Sequence, residues 1–193
     1  MALEFKRIYS IEEVDFDNLF LESYEGGFDD NFAWPEQAIA FSYEQKKSIY
    51  KTQLQQAIDG IFAMKKEGEE FLMFKVILEG KDVMFKAGYI ENDHISHRGH
   101  WYLTATDNTG SRKWLYTEEF DRLQREFHAQ YGITQHKVLT YVGSPLYKML
   151  YSRTNYLKRI NAVGRATVEV EEPMGTRVPG REALDFVRLT VVL

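Results

Sequence analysis

The sequence predicts an α+β domain, and three observations carry that reading. Segments with an apolar period of about 3.6 residues alternate with short β-branched and aromatic runs, in the order β-α-α-β-β-β-α-β-α-β-β. Two of the strand runs are joined by a short polar turn holding one glycine, Glu79-Gly80-Lys81-Asp82, which marks an antiparallel hairpin. The chain of 193 residues, 44% hydrophobic, is long enough to bury a core without staples. It contains no cysteine, which excludes disulfides, thiolate metal sites and thiol catalysis. No repeat or low-complexity tract interrupts it, so residues 1–193 read as one domain.

The elements follow in order. Phe5 to Tyr9 forms a first strand. Ser10 with Glu13 three residues on has capping-box spacing and opens a helix to about Tyr24, stopped by Gly26-Gly27. Residues 27–41 are irregular and rich in Phe, Trp and Asp. Ser42 starts a second helix, with Tyr50, Leu54, Ala57, Ile58 and Ile61 on one stripe. The runs 71–78 and 83–90 form the hairpin, and 93–100 reads as a His-rich turn before a third strand at 101–106. Phe120, Leu123, Phe127 and Tyr131 mark a third helix ended by Gly132. Val138 to Val142 is a strand. Ser144-Pro145 supplies a cap and a first-turn proline for a helix ending near Asn155. Strands at 159–170 and 183–193 flank a loop over 171–182.

Charge and hydropathy narrow the function. The net charge of −5 argues against general nucleic-acid binding. No apolar run approaches the roughly 20 residues that span a bilayer, and the first residues lack an apolar signal core. A cytoplasmic setting is therefore expected.

Residues 138–156 carry a sharper signal. The segment Val-Leu-Thr-Tyr-Val-Gly-Ser-Pro-Leu-Tyr-Lys-Met-Leu-Tyr-Ser-Arg-Thr-Asn-Tyr resembles the Asn-x-x-Ala-x-x-Leu-Tyr-Glu-Lys-Leu-Gly-Phe stretch of GNAT acetyltransferases. Ser144 stands at the Asn position, Leu150-Tyr151 match the Leu-Tyr pair, and Asn155-Tyr156 replace Gly-Phe. By element order the resemblance extends over about residues 5–170. It implies a three-layer α/β/α fold, a mixed sheet with an N-terminal antiparallel meander, and two central parallel strands that splay apart, at 101–106 and 138–142. It also implies acetyl-CoA as cofactor and a small-molecule or protein amine as acceptor. Tyr151 would protonate the departing thiolate, since a phenol holds its proton at pH 7. Backbone groups at Leu103 and Thr104 would hold the reacting carbonyl. Thr109, Gly110, Ser111, Arg112 and Lys113 would hold the pyrophosphate, with Ser144 at the second helix entry. The general base would be Asp107, a histidine of 94–100, or water.

The phosphate loop departs from the family pattern. Arg/Gln-x-x-Gly-x-Gly/Ala becomes Thr109-Gly110-Ser111-Arg112-Lys113-Trp114, whose second half, Arg112-Lys113-Trp114, lacks both key glycines. A Trp there would crowd a phosphate. Thr117 before Glu118-Glu119 reads as the true helix cap, with an acidic first turn that repels phosphate. This departure is similar to divergent GNAT-like proteins of bacteriophages, some of them virion components. It opens an alternative function, a scaffold without cofactor, structural or host-interacting, that contacts a protein partner through the aromatic loop 28–41 or the loop 171–182.

Two further clusters are weighed. Asp93, His94, His97 and His100 have the residue types of a zinc or nickel site, but Arg98 beside them repels a cation, and the segment is read as a solvated turn without a metal. Residues 8–45 hold ten acidic side chains and no Lys or Arg, which is either a solvated face or a groove that draws a cationic amine.

Overall fold

The structure, a computed structural model, describes residues 2–28, 38, 40–63, 70–98, 102–175 and 183–193. The described strands are β1 (Leu3–Ile8), β2 (Glu70–Leu78), β3 (Lys81–Glu91), β4 (His94–Arg98), β5 (Tyr102–Thr104), β6 (Gln135–Tyr141), β7 (Thr167–Pro173) and β8 (Phe186–Val192). The described helices are α1 (Phe16–Ser23), α2 (Tyr43–Ala63), α3 (Glu118–Ala129) and α4 (Pro145–Arg159). All eight strands form one sheet in the order β1-β2-β3-β4-β6-β8-β7, with β5 paired to β3. Among the described pairs only β4–β6 is parallel.

Helices cover both faces, so the sheet is the middle of three layers. Alternation along the strands sorts the core. Met73, Phe85, Ala87 and Leu103 pack with Phe16, Leu19, Phe20, Tyr50 and Leu54 under α1 and α2. Leu72, Phe74, Val76, Met84 and Ile95 pack with Trp114, Phe120 and Phe127 under α3. Burial on both faces is why the β2 sequence is nearly all apolar. A fully covered leucine such as Leu54, at 0% exposure, contributes about 1.5–3 kcal/mol. A third cluster joins Val138, Val168, Leu189 and Val191 to α4. Helices α3 and α4 are tied by the buried pair of Arg153 with Asp121, at 2.5 and 2.6 Å. Arg165 grips the same carboxylate.

Several sequence expectations are corrected. The first helix is broken: Ser10 and Glu13 do form the capping box, but around a short 3-10 turn that ends at the extended Val14. Asp15 then caps α1 afresh by accepting from the Asn18 amide. Helix α4 runs past Asn155 because Leu157 is buried beneath it, and Asn161, at φ +50°, makes the left-handed stop instead. The strand expected from residue 159 starts at Thr167, and β7 takes residues 171–173 from the expected loop. The largest correction is the His-rich turn. Residues 94–98 form β4, the parallel neighbour of β6, whereas β5 is paired in the sheet with β3. Gly88 permits this close fit, since a Cβ there would lie 2.7 Å from the Ser96 carbonyl oxygen.

Candidate functional site

The parallel ladder of β4 and β6 begins at His94↔Gln135 and stops at Arg98↔Leu139. Beyond it β5 stays with β3, while β6 continues to Tyr141 against β8 alone. The sheet therefore opens between β5 and β6. A cavity of about 170 Å³ fills the gap, walled by Tyr102 and Thr104 of β5, Leu139 and Thr140 of β6, and Pro145, Leu146 and Met149 of α4. Ser23 and Gly26 line it from the α1 end, and Arg112, Leu115 and Tyr116 complete the wall.

Arg112 is the cation of this cleft. Its Nη2 donates to the Thr104 carbonyl at 3.2 Å, and its Nε is buried with no partner. No carboxylate among the described residues pairs with it. Gly26 makes room for it, since a Cβ there would fall on Nη2. Such a guanidinium, with a buried donor left over, fits an anionic group.

The rest of the predicted phosphate loop is already filled from within. Asp107 accepts from the Thr109 amide (2.8 Å) and hydroxyl (2.6 Å), and from the Ser111 amide (3.1 Å) and hydroxyl (3.0 Å). The Gly110 amide donates to the Asp107 carbonyl, and the Lys113 amide to Ser111 Oγ. These bonds, the Thr109 hydroxyl first, hold the Asp107 carboxyl down to about 2. The nest of amides thus holds a carboxylate of its own chain. Trp114 does not crowd this loop: it is buried in the α3 core against Phe120, correcting the sequence expectation. Thr117 does cap α3, accepting from the Phe120 amide at 3.2 Å, and Glu118, Glu119 and Asp121 follow in the first turn.

The other candidates fall in different places. Leu103 is core, fully covered under α1. The Thr104 amide donates to Ser23 Oγ and its carbonyl accepts from Arg112, so both backbone groups are engaged inside the protein. Ser144 is fully buried; its Oγ caps α4 by accepting from the Tyr147 amide at 3.0 Å and meets Thr140 Oγ1 at 2.8 Å. Tyr151 lies on the β7 side of α4, where its hydroxyl and that of Tyr147 both donate to Glu171. Burial first, and then the Glu171 carboxylate, push the Tyr151 phenol upward. The face that α4 turns to the cleft is Pro145, Leu146 and Met149. His94 and His97 stand three apart in a strand and diverge: His94 meets Glu91 at 3.2 Å, while His97 turns into the core. His100 and most of the aromatic loop 28–41 lie outside the described residues. Among the described residues no three His, Cys, Asp or Glu side chains converge on a metal position.

Sequence comparison matches no family model and no curated protein. Solved structures do match over the whole chain. The PaiA N-acetyltransferase of Thermoplasma acidophilum in complex with coenzyme A superposes with TM-score 0.51 at 15% identity, covering 98% of each chain. The Salmonella typhimurium acetyltransferase that modifies the N-terminal serine of ribosomal protein L7/L12 gives 0.53 at 14%, over 100% of this chain and 96% of that one. The microcin C7 self-immunity acetyltransferase MccE, in complex with acetyl-CoA and AMP, gives 0.54 at 14%, over 98% and 93%. The chain has the GNAT acetyltransferase fold.

Within this GNAT fold, the opening expected between the strands at 101–106 and 138–142 lies between β5 and β6, and what sequence reasoning missed there is that the hydrogen-bonded parallel partner of β6 is β4. That reasoning also missed Tyr102, Tyr116, Ser23 and Gly26 as cleft walls. The one signal in the sequence was Gly26, a glycine directly after an amphipathic helix.

Proposed function

We propose that the protein is an N-acetyltransferase that moves an acetyl group from acetyl-CoA to an amine. The observation that carries this reading is the cleft between β5 and β6 with Arg112, paired with no carboxylate among the described residues, in its wall. When bound, the cofactor supplies an activated acetyl thioester. Arg112 would hold its phosphates through the buried Nε and the remaining guanidinium protons, with Gly26 leaving the fork space to face the cleft. The Thr109 and Ser111 amides fit a phosphate only if Asp107 gives them up. In the transfer, the amine nitrogen bonds to the acetyl carbon, the carbon–sulfur bond breaks, and the proton shed by the amine ends on the thiol. For Tyr151 to deliver that proton, its hydroxyl must first leave Glu171. The acidic character of residues 8–45 favours a cationic acceptor, a small molecule or a protein amine.

A second reading, a GNAT-shaped scaffold without cofactor, is favoured by the Asp107 carboxylate seated in the loop. In that reading the protein is a phage structural or host-interacting component, cytoplasmic in the host or carried in the virion. Loops 28–41 and 171–182 then meet the partner. No helix among the described residues is long and apolar enough to cross a membrane.

Calorimetric titration with acetyl-CoA separates the two. The enzyme reading expects saturable binding near the micromolar range, weakened at least about tenfold by Arg112→Glu. Absence of binding at millimolar cofactor leaves the scaffold. If binding occurs, Tyr151→Phe tests the donor role: a fall in kcat at unchanged KM supports it, and equal turnover removes it.

A further inference from the structure

A second cavity, of about 90 Å³, lies behind the cleft between the sheet and helices α3 and α4. It shares Tyr102, Leu115, Leu146 and Met149 with the cleft, so these four side chains form the partition through which a small ligand would enter. Its lining is mostly apolar: Met84, Phe120, Val138, Leu150 and Val191 among others. Set into it is the Lys86 side chain, whose ammonium lies 5.0 Å from the Tyr102 ring centroid. No carboxylate among the described residues pairs with Lys86.

The polar neighbours do not compensate that charge. Asp121 lines the cavity, but both of its oxygens are held by Arg153 and Arg165. The histidines nearby form a closed row. His97 Nδ1 lies 3.1 Å from the Ala87 carbonyl and must donate to it, which leaves Nε2 as an acceptor for His136 Nδ1 at 2.9 Å. His136 Nε2 in turn accepts from the Gln124 amide at 3.4 Å. Every ring in the row is neutral and every donor in it is in use. Burial holds His97 and His136 well below the ordinary histidine range, and the Lys86 charge lowers them further. Burial alone draws Lys86 down to about 8. An ammonium in an apolar chamber with no counterion is costly, and an anion that enters removes that cost.

We propose that this cavity binds a small monocarboxylate on the scale of acetate, its carboxylate on the Lys86 ammonium and its methyl group among Met84, Val138, Leu150 and Val191. The volume suits a ligand of about four heavy atoms, given that a dry cavity of about 150 Å³ accepts the six of benzene. The apolar walls exclude a fully hydrated anion such as phosphate, because nothing there replaces most of its water. This site is distinct from the cofactor reading and stands whether or not acetyl-CoA binds the cleft.

The test is a titration of the intact chain with sodium acetate, followed by calorimetry and by methyl and lysine side-chain NMR. The expected result is saturable 1:1 binding with Kd near about 1 mM, shifts at the Val138 and Val191 methyls and at Lys86, and no saturable response to n-propylammonium. Lys86→Met weakens acetate by at least about tenfold. Absence of saturation by about 50 mM overturns the proposal. So does equal affinity in Lys86→Met, or shifts confined to surface lysines. Should Lys86→Met fail to fold, the wild-type spectrum decides alone: Lys86 must shift more than every other lysine.

Discussion

The loop after β5 and the chamber under α3 and α4 handle charge in opposite ways. In the loop, the half-buried Asp107 carboxylate collects four hydrogen bonds from Thr109 and Ser111 within five residues of chain. In the chamber, Lys86 stands among aromatic and apolar neighbours, and the carboxylate of the lining, Asp121, is already taken by two arginines. A charge satisfied by local backbone costs little and shapes its own loop. A charge left in a packed interior constrains everything packed around it.

The sharpest way to break the contrast is to remove the one carboxylate of the chamber. Asp121, only 1% exposed, is held by two arginines. Asp121→Ala strands both and is expected to lower stability by about 3–5 kcal/mol in a denaturant titration. A loss under about 1 kcal/mol would mean that water replaces the carboxylate there.

Acid reaches the same region through the histidines. His128 is buried, its Nδ1 donates to the Gln124 carbonyl at 2.7 Å, and burial lowers it to about 4. The unfolded chain takes up this proton as pH falls through about 6.5, while the folded chain resists until about 4. Stability is therefore lost on acidification across that window, by about 3 kcal/mol from His128, with His97 and His136 adding in the same sense. Lys86 acts at the other end. The unfolded chain keeps this proton above pH 8 when the folded chain has released it, so stability rises between about 8 and 10.5. Thermal melts across pH 4 to 10 check both signs, and a flat profile from 6.5 to 4 contradicts the buried neutral histidines.

The smallest expected effect lies in the loop. Asp107→Ser frees the Thr109 and Ser111 amides with little change in melting temperature. If the loop receives a phosphate, acetyl-CoA affinity rises several-fold. Unchanged affinity places the phosphates elsewhere in the cleft.

Caps and stripes were readable because they are local. Ser10 with Glu13, Ser42, Thr117 and Ser144 all cap where they were expected to. The strand β4 was not readable, because His94, Ser96 and His97 look like a polar turn. Only partners distant in the chain, Ala87 and His136, make His97 acceptable inside a sheet. The cleft and Arg112 were expected from the family resemblance, but what makes room for that guanidinium was not legible, because Gly26, which lacks a side chain, lies on a different element. Tyr151 shows the converse: the Leu-Tyr pair was legible, but the partner of its hydroxyl, Glu171, sits on a strand that the sequence left as a loop.

The imidazole row has a direction. Its protons all point from Gln124 toward the Ala87 carbonyl, so His97 and His136 are both fixed as Nδ1–H tautomers. The Ala87 carbonyl can only accept, so neutral rings cannot run the row the other way, and helix α3, the two parallel strands and the hairpin strand beside them are joined by one fixed order of donors. Nitrogen-15 spectra of both rings should therefore show a protonated Nδ1 and a bare Nε2.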